Sequence, residues 1–200
     1  MKVVAITGGI GVGKTTVCDF FKSFGIPVYH SDETAKQLMV ADVVLKDAIV
    51  SLLGKDAYLT DGGLNKVYIS SQIFGDPIKR NALNELVHPV VNADFEKWLL
   101  SVSNKNNKLP YVVYESALVF ENHKEAAFDA LILVTAPVED RIKRVVKRDS
   151  KTLSQVSDIM NAQLSDNKNA KKADFVIHNQ DLAKTLLKTK EIHHKLVNRM

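Results

Sequence analysis

The sequence predicts an α/β fold: a five-stranded parallel sheet flanked by helices, with a helical segment inserted between the second and third strands. Three observations carry that expectation. Five short apolar runs of strand length, at 3–7, Val28-Tyr29, 111–114, 131–135 and 175–177, are mostly β-branched, aromatic or leucine. Stretches with helical patterning separate them, and strands joined through helices pair in parallel. Roughly eighty residues lie between the second and third runs, whereas a crossover needs only about a dozen.

The elements follow in order. The first run breaks into a glycine cluster before an apolar periodic stretch at 14–24, which reads as strand, loop and helix. Gly25-Ile26-Pro27 stops that helix, and the second strand ends near His30-Ser31-Asp32. Residues 42–53 repeat apolar side chains at helical spacing up to Gly54. Asp76-Pro77 has the form of an N-cap with proline at the first helical position, and the helix it opens meets Pro89 at its middle, where a kink is expected. Asn104-Lys105-Asn106-Asn107-Lys108 is a polar loop returning the chain to the sheet.

Composition bounds the function. With 200 residues, 46% hydrophobic and 25% charged, the chain can bury one ordinary core. Nine Gly and five Pro exclude a collagen-like or low-complexity chain, and no apolar run approaches a membrane span. A single cysteine, Cys18, forms no internal disulfide, and the apolar stretch Val3-Val4-Ala5-Ile6 is too short for a signal-peptide core, so a cytoplasmic protein is expected. Between Arg141 and Lys172, nine Lys or Arg face three Asp, a surplus larger than the whole-chain charge of +4. Such a segment suits either a solvated helix face or a phosphate-rich ligand. No helix-turn-helix, zinc-finger or RNA-binding signature occurs, so no nucleic-acid partner is expected. Nothing in the sequence sets an oligomeric state.

The strongest motif is Gly8-Gly9-Ile10-Gly11-Val12-Gly13-Lys14-Thr15, which fits G-x-x-x-x-G-K-[ST] between a predicted strand and a predicted helix. Glycines let backbone N–H groups turn inward around a phosphate, and the helix presents its positive end to the same anion. In this P-loop, Lys14 supplies a mobile cation for the β and γ phosphates, and Thr15 a hydroxyl for Mg²⁺. Thr16 is a first-turn hydroxyl near the phosphates and Cys18 a small core residue. A GTP-binding switch would carry D-x-x-G and N-K-x-D, and neither occurs. A kinase is therefore expected.

Four further positions bear on the chemistry. Asp32 falls at the expected carboxyl end of the second strand, where ligands gather in open α/β sheets. A carboxylate there can accept the proton of a substrate hydroxyl, or simply cap a helix. His88 precedes the mid-helix Pro89, which either aims the imidazole or is structural. Glu115 follows the third strand, where a Mg²⁺-associated carboxylate is often found, with Glu121 on the next turn; either reads equally as a helix-start charge. Arg144 and Arg148 are four apart and share a helix face, able to reach one polyphosphate or to face solvent.

Together these residues resemble the dephospho-CoA kinase family over nearly the whole chain. The opening from Thr7 to Val17, Gly25-Ile26-Pro27-Val28 and Asp32, Asp61-Gly62-Gly63-Leu64, Phe74-Gly75-Asp76-Pro77, His88-Pro89, Gln163, Ala173-Asp174-Phe175-Val176-Ile177 and Asn179 are similar to the family's patterns. The resemblance implies transfer of the γ-phosphoryl of ATP to the ribose 3′-hydroxyl of dephospho-CoA, the last step of coenzyme A synthesis, with Mg²⁺. It implies a nucleotide-binding core at 1–33, 109–137 and 173–200, a helical substrate subdomain at 34–108 and a lid at 138–172. By residue, it implies nucleotide contacts at Gly9, Gly11, Val12, Gly13, Lys14, Thr15 and Thr16. Asp32 becomes the general base, Arg144 and Arg148 lid cations, and His88, Lys66 and Glu115 substrate-side residues.

The chain departs from the pattern in places. Lys66 stands where the family usually has arginine, Glu115 where it has aspartate, and Ser116-Ala117 where it has an apolar residue and proline. Ile159 and Asn169 occupy lid positions that are commonly basic, for which Lys168, Lys171 and Lys172 are substitutes close in sequence. The rival readings are a kinase for a nucleoside, nucleotide or sugar acid, and a nucleotide-dependent binding module whose basic lid docks an acidic or nucleic-acid partner.

Overall fold

The computed structural model describes residues 1–120, 124–149, 152–161 and 169–198. It divides into two compact units, Met1–His30 with Ser103–Met200, and Ser31–Val102. Glu121, Lys151, Gln163, Asp166 and Lys168 lie outside the described residues.

In the first unit, β1 (Lys2–Thr7), β2 (Val28–His30), β3 (Tyr111–Glu115), β4 (Ala130–Thr135) and β5 (Phe175–His178) form one sheet in the order β2-β3-β1-β4-β5. All four pairings are parallel; Val4 stands beside Val113 on one side and Ala130 on the other. The five expected strands are thus all present, each extended by a residue or so. From β1 the chain moves toward the β2 edge, and from β3 toward the β5 edge. The connections diverge at the carboxyl ends of these two neighbours, which opens a crevice there.

Strand alternation sorts the core onto two faces. Val4, Ile6, Tyr111, Val113, Ile132 and Val134 point to one side. They pack with Val17, Cys18 and Phe21 of α1 (Lys14–Ser23) and Ile192 and Leu196 of α8 (Leu182–Asn198). Ala5, Leu131 and Leu133 point the other way, under Val119 and Phe120. The same unit also contains α6 (Val138–Asp149) and α7 (Leu153–Asn161).

The second unit contains α2 (Ser31–Ala41), α3 (Val43–Leu53), α4 (Lys66–Ile73) and most of α5 (Pro77–Lys105). Its caps are those the side chains predict: Asp42 Oδ1 accepts from the Leu45 amide at 2.9 Å, and Asp76 Oδ1 from the Lys79 amide at 3.0 Å, just before Pro77. Tyr58 donates to the Met39 carbonyl at 2.7 Å, tying the 54–65 segment to α2, and Tyr68 of α4 donates to the Leu53 carbonyl of α3 at 2.8 Å. Pro89 lies inside α5, which continues past it to Lys105.

One local departure matters for the site. The second strand stops at His30 and α2 starts at Ser31, so Asp32 sits in the first turn of a helix, not on the strand end, and belongs to the second unit. A three-residue edge strand leaves its successor free to enter helix at once, and a carboxylate is favourable at that positive helix end.

On the α1–α8 face, the Tyr111 hydroxyl and His193 Nδ1 are 2.6 Å apart, with Phe24 against the imidazole. Burial, then the neighbouring His194, hold the His193 pKa below its ordinary value, and burial pushes the Tyr111 phenol up. The unfolded chain therefore takes up the His193 proton first, and folding stability should fall as pH drops below about 6.5. Urea midpoints measured between about pH 5.5 and 7.5 should show this slope reduced in His193→Asn relative to the parent.

Candidate active site

The loop between β1 and α1 is a row of peptide groups turned by glycine. Gly13, at the head of α1, has φ 88°, and a Cβ there would strike the Asn179 amide. No L side chain fits that backbone and that space together. Lys14, with its side chain 12% exposed, donates from Nζ to the Gly8 carbonyl at 2.9 Å. Thr15 is exposed and Thr16 half-buried on the first turn of α1.

Behind the loop, successive carbonyls are held from α6 and from the segment after β5. The Ile10 carbonyl accepts from Arg141 Nε at 2.9 Å. Those of Gly11 and Val12 each accept from the Arg144 guanidinium at 3.3 Å. Val12 also accepts from the buried Asn179 amide at 2.8 Å, and Arg144 donates to the Asn179 carbonyl at 2.9 Å. An open pocket of about 260 Å³ beside the loop is lined by Gly13, Thr16, Arg144, Asn179, Gln180 and Leu182.

In front, Glu115 ends β3 with its side chain 11% exposed. One carboxylate oxygen is 3.9 Å from Lys14 Nζ, and the other 3.2 Å from His30 Nδ1. An ionised carboxylate only accepts, so His30 Nδ1 carries the hydrogen of that bond. Burial first, and the nearby Glu115 charge second, push the Cys18 thiol up, which leaves it a core group and no nucleophile.

The structure thus brings Gly9, Gly11, Val12, Gly13, Lys14, Thr15, Thr16, Glu115 and Arg144 into one unit. Asp32, the exposed Lys66 at the start of α4 and the half-buried His88 on α5 are in the other. Arg144 is turned to the loop carbonyls, whereas Arg148 is 64% exposed and donates to Asp149 at 2.7 and 2.8 Å. An adjacent carboxylate captures an exposed guanidinium more readily than a target a turn away. Asn169 is buried, and Lys172 is engaged by Glu125 at 2.8 Å.

Sequence reasoning missed Arg141 and gave Asn179 no role. The signal for Arg141 was available: it lies four residues before Val145, the two buried positions of α6. A charge on the apolar stripe of a helix needs a buried partner.

Known proteins are similar to this chain in sequence and in fold. A family model described as dephospho-CoA kinase (CoaE) matches residues 2–184. The dephospho-CoA kinase of Salinibacter ruber is 38% identical over 179 residues, 90% of this chain and 89% of that protein. That of Chlorobium luteolum is 35% identical over 190 residues, 93% and 85% of the two chains. A crystal structure of a Thermus thermophilus protein superimposes with TM-score 0.81 at 27% identity, covering 97% of this chain and 96% of that one. A shikimate kinase from Acinetobacter baumannii shares the fold alone, with TM-score 0.52 at 15% identity, covering 100% and 96%.

Gly13→Ala should weaken ATP binding by about tenfold or more, since left-handed backbone costs an L residue ~1–2 kcal/mol before the Asn179 contact is displaced. Gly25→Ala is the control, because Gly25 has a similar φ of 81° but nothing within 4 Å of an added Cβ. Nucleotide titration of both variants checks this: equal affinities would show that the Asn179 contact is irrelevant.

Proposed function

The chain belongs to the dephospho-CoA kinase family and phosphorylates dephospho-CoA with ATP in coenzyme A biosynthesis, and on that premise we propose how its residues divide the work. The observation that carries the division is the loop itself, with its carbonyls held from behind beside a lysine and a strand-end carboxylate. The amides of Gly9, Gly11, Val12 and Gly13, with the first turn of α1, receive the polyphosphate. Lys14 leaves the Gly8 carbonyl for the β and γ phosphates, a charge-assisted contact that outcompetes a neutral acceptor. The pocket beside Asn179 and Gln180 seats the base, with the planar Arg144 guanidinium available to stack on it and the Gln180 amide to read its edge.

Thr15 and Glu115 offer a hydroxyl and a carboxylate, hard oxygens that suit Mg²⁺. Mg²⁺ commonly takes one or two protein oxygens and completes its shell with water and substrate phosphates. When bound, Mg²⁺ neutralises charge on the phosphate oxygens.

The acceptor is the ribose 3′-hydroxyl, and Asp32 is its general base, supported by the family resemblance and by its place directly after β2. His88 and Lys66 of the helical unit contact dephospho-CoA, and Glu115 orients the reacting groups. Residues 34–108 serve as the substrate subdomain and 138–172 as the lid, with Arg144 and Arg148 as its cations. Alignment of hydroxyl and phosphorus, charge neutralisation and exclusion of water then account for the chemistry. No helix among the described residues is long and apolar enough to cross a membrane. The single, buried thiol of Cys18 supports a cytoplasmic setting.

Incubation with ATP and a panel of hydroxyl acceptors tests the assignment; turnover of another acceptor in place of dephospho-CoA would overturn it. Asp32→Asn should lower kcat by about 10² to 10⁴, and near-normal turnover would remove Asp32 as base. Lys14→Ala should cost about 10² to 10³ in rate, roughly 3 to 4 kcal/mol, read from steady-state kinetics at saturating acceptor.

A further inference from the structure

We propose that Arg141 is a positioning residue for ATP: from the buried face of α6 it holds the Ile10 carbonyl outward and so presets the Gly11 amide, the first of a row, toward the triphosphate. The inference deepens the reading of the loop as the phosphate site. In a planar trans peptide the C=O and the following N–H point in opposite directions. Fixing the carbonyls of Ile10, Gly11 and Val12 from the α6 side therefore fixes the amides of Gly11, Val12 and Gly13 toward the other side.

Arg141 is set apart from the other two holders. Arg144 and Asn179 line the pocket beside the loop and so face the nucleotide themselves; Arg141 does not line it and is 7% exposed. The loop also abuts its helix directly: a Cβ on Gly11 would come within 2.7 Å of the Arg141 carbonyl and 2.9 Å of a Val145 methyl. A guanidinium buried at such a contact holds a fixed direction, and its Nε donates along that direction. Lysine would retain the charge but not the geometry.

The test compares full-length Arg141→Met and Arg141→Lys with the parent and with Lys14→Ala. Arg141→Met should raise both the ATP dissociation constant and KM for ATP by about 10-fold or more, the worth of a charged hydrogen bond. KM for dephospho-CoA should move less than about twofold. Arg141→Lys should fall between, and hydrogen exchange of the 10–13 amides without nucleotide should be faster in both variants, a readout that still serves if Arg141→Met is recovered poorly. Loss of Tm with unchanged ATP affinity and unchanged exchange would make Arg141 merely structural and overturn the proposal. If Lys14→Ala weakens ATP while both Arg141 variants bind it normally, this inference alone fails; if Lys14→Ala also binds normally, the phosphate-loop reading fails instead.

Discussion

A glycine-rich loop can show its N–H groups to an anion only if its carbonyls find partners on the opposite side. That constraint organises the first unit. Outward carbonyls demand donors, and the donors come from α6 and from the turn after β5. Those segments are brought to the loop because β4 and β5 lie on one flank of β1. The order of the sheet is thus what makes the cradle affordable in hydrogen-bond terms, since an unpaired buried carbonyl would cost about 1–3 kcal/mol.

On the front of the loop the balance is electrostatic. Lys14 must be held at the loop yet be free to change partners. The 3.9 Å separation from Glu115 is longer than a tight ion pair, and His30 occupies the other carboxylate oxygen. A carboxylate shared this way tethers the ammonium loosely, whereas a short two-point pair would compete with incoming phosphate. The same carboxylate helps to keep the Cys18 thiol protonated. Three neighbouring groups are thereby kept in distinct chemical roles by spacing and burial together.

Much of this was legible in the sequence, for identifiable reasons. The strands were readable because apolar runs flanked by helical patterns leave few alternatives, and Asp76 before Pro77 declared a helix start through its own hydrogen-bond chemistry. The motif from Gly8 to Thr15 named its ligand class because few other functions need that spacing. What stayed hidden were contacts made across the fold. Arg141 and Ile10 are far apart in the chain, and a basic residue in a basic helix looks solvated until Val145 marks the buried stripe. The Arg148 contact was hidden for the opposite reason: spacing puts it a turn from Arg144, but its bond is to the adjacent Asp149. The placement of Asp32 turned on a single residue, the point at which β2 gives way to α2.

The C-terminal helix carries a consequence of its own. The family match stops at residue 184, yet Thr185, Thr189, Ile192 and Leu196 beyond it are buried, the last two in the cluster that seats α1. Ile192 and Leu196 act through shape and hydrophobicity, while the Thr185 hydroxyl donates to Asn179 Oδ1 at 3.1 Å and so steadies a side chain that holds the Val12 carbonyl. A chain trimmed at that boundary would retain every phosphate-facing group and still lose the keel against which the loop's own helix is braced.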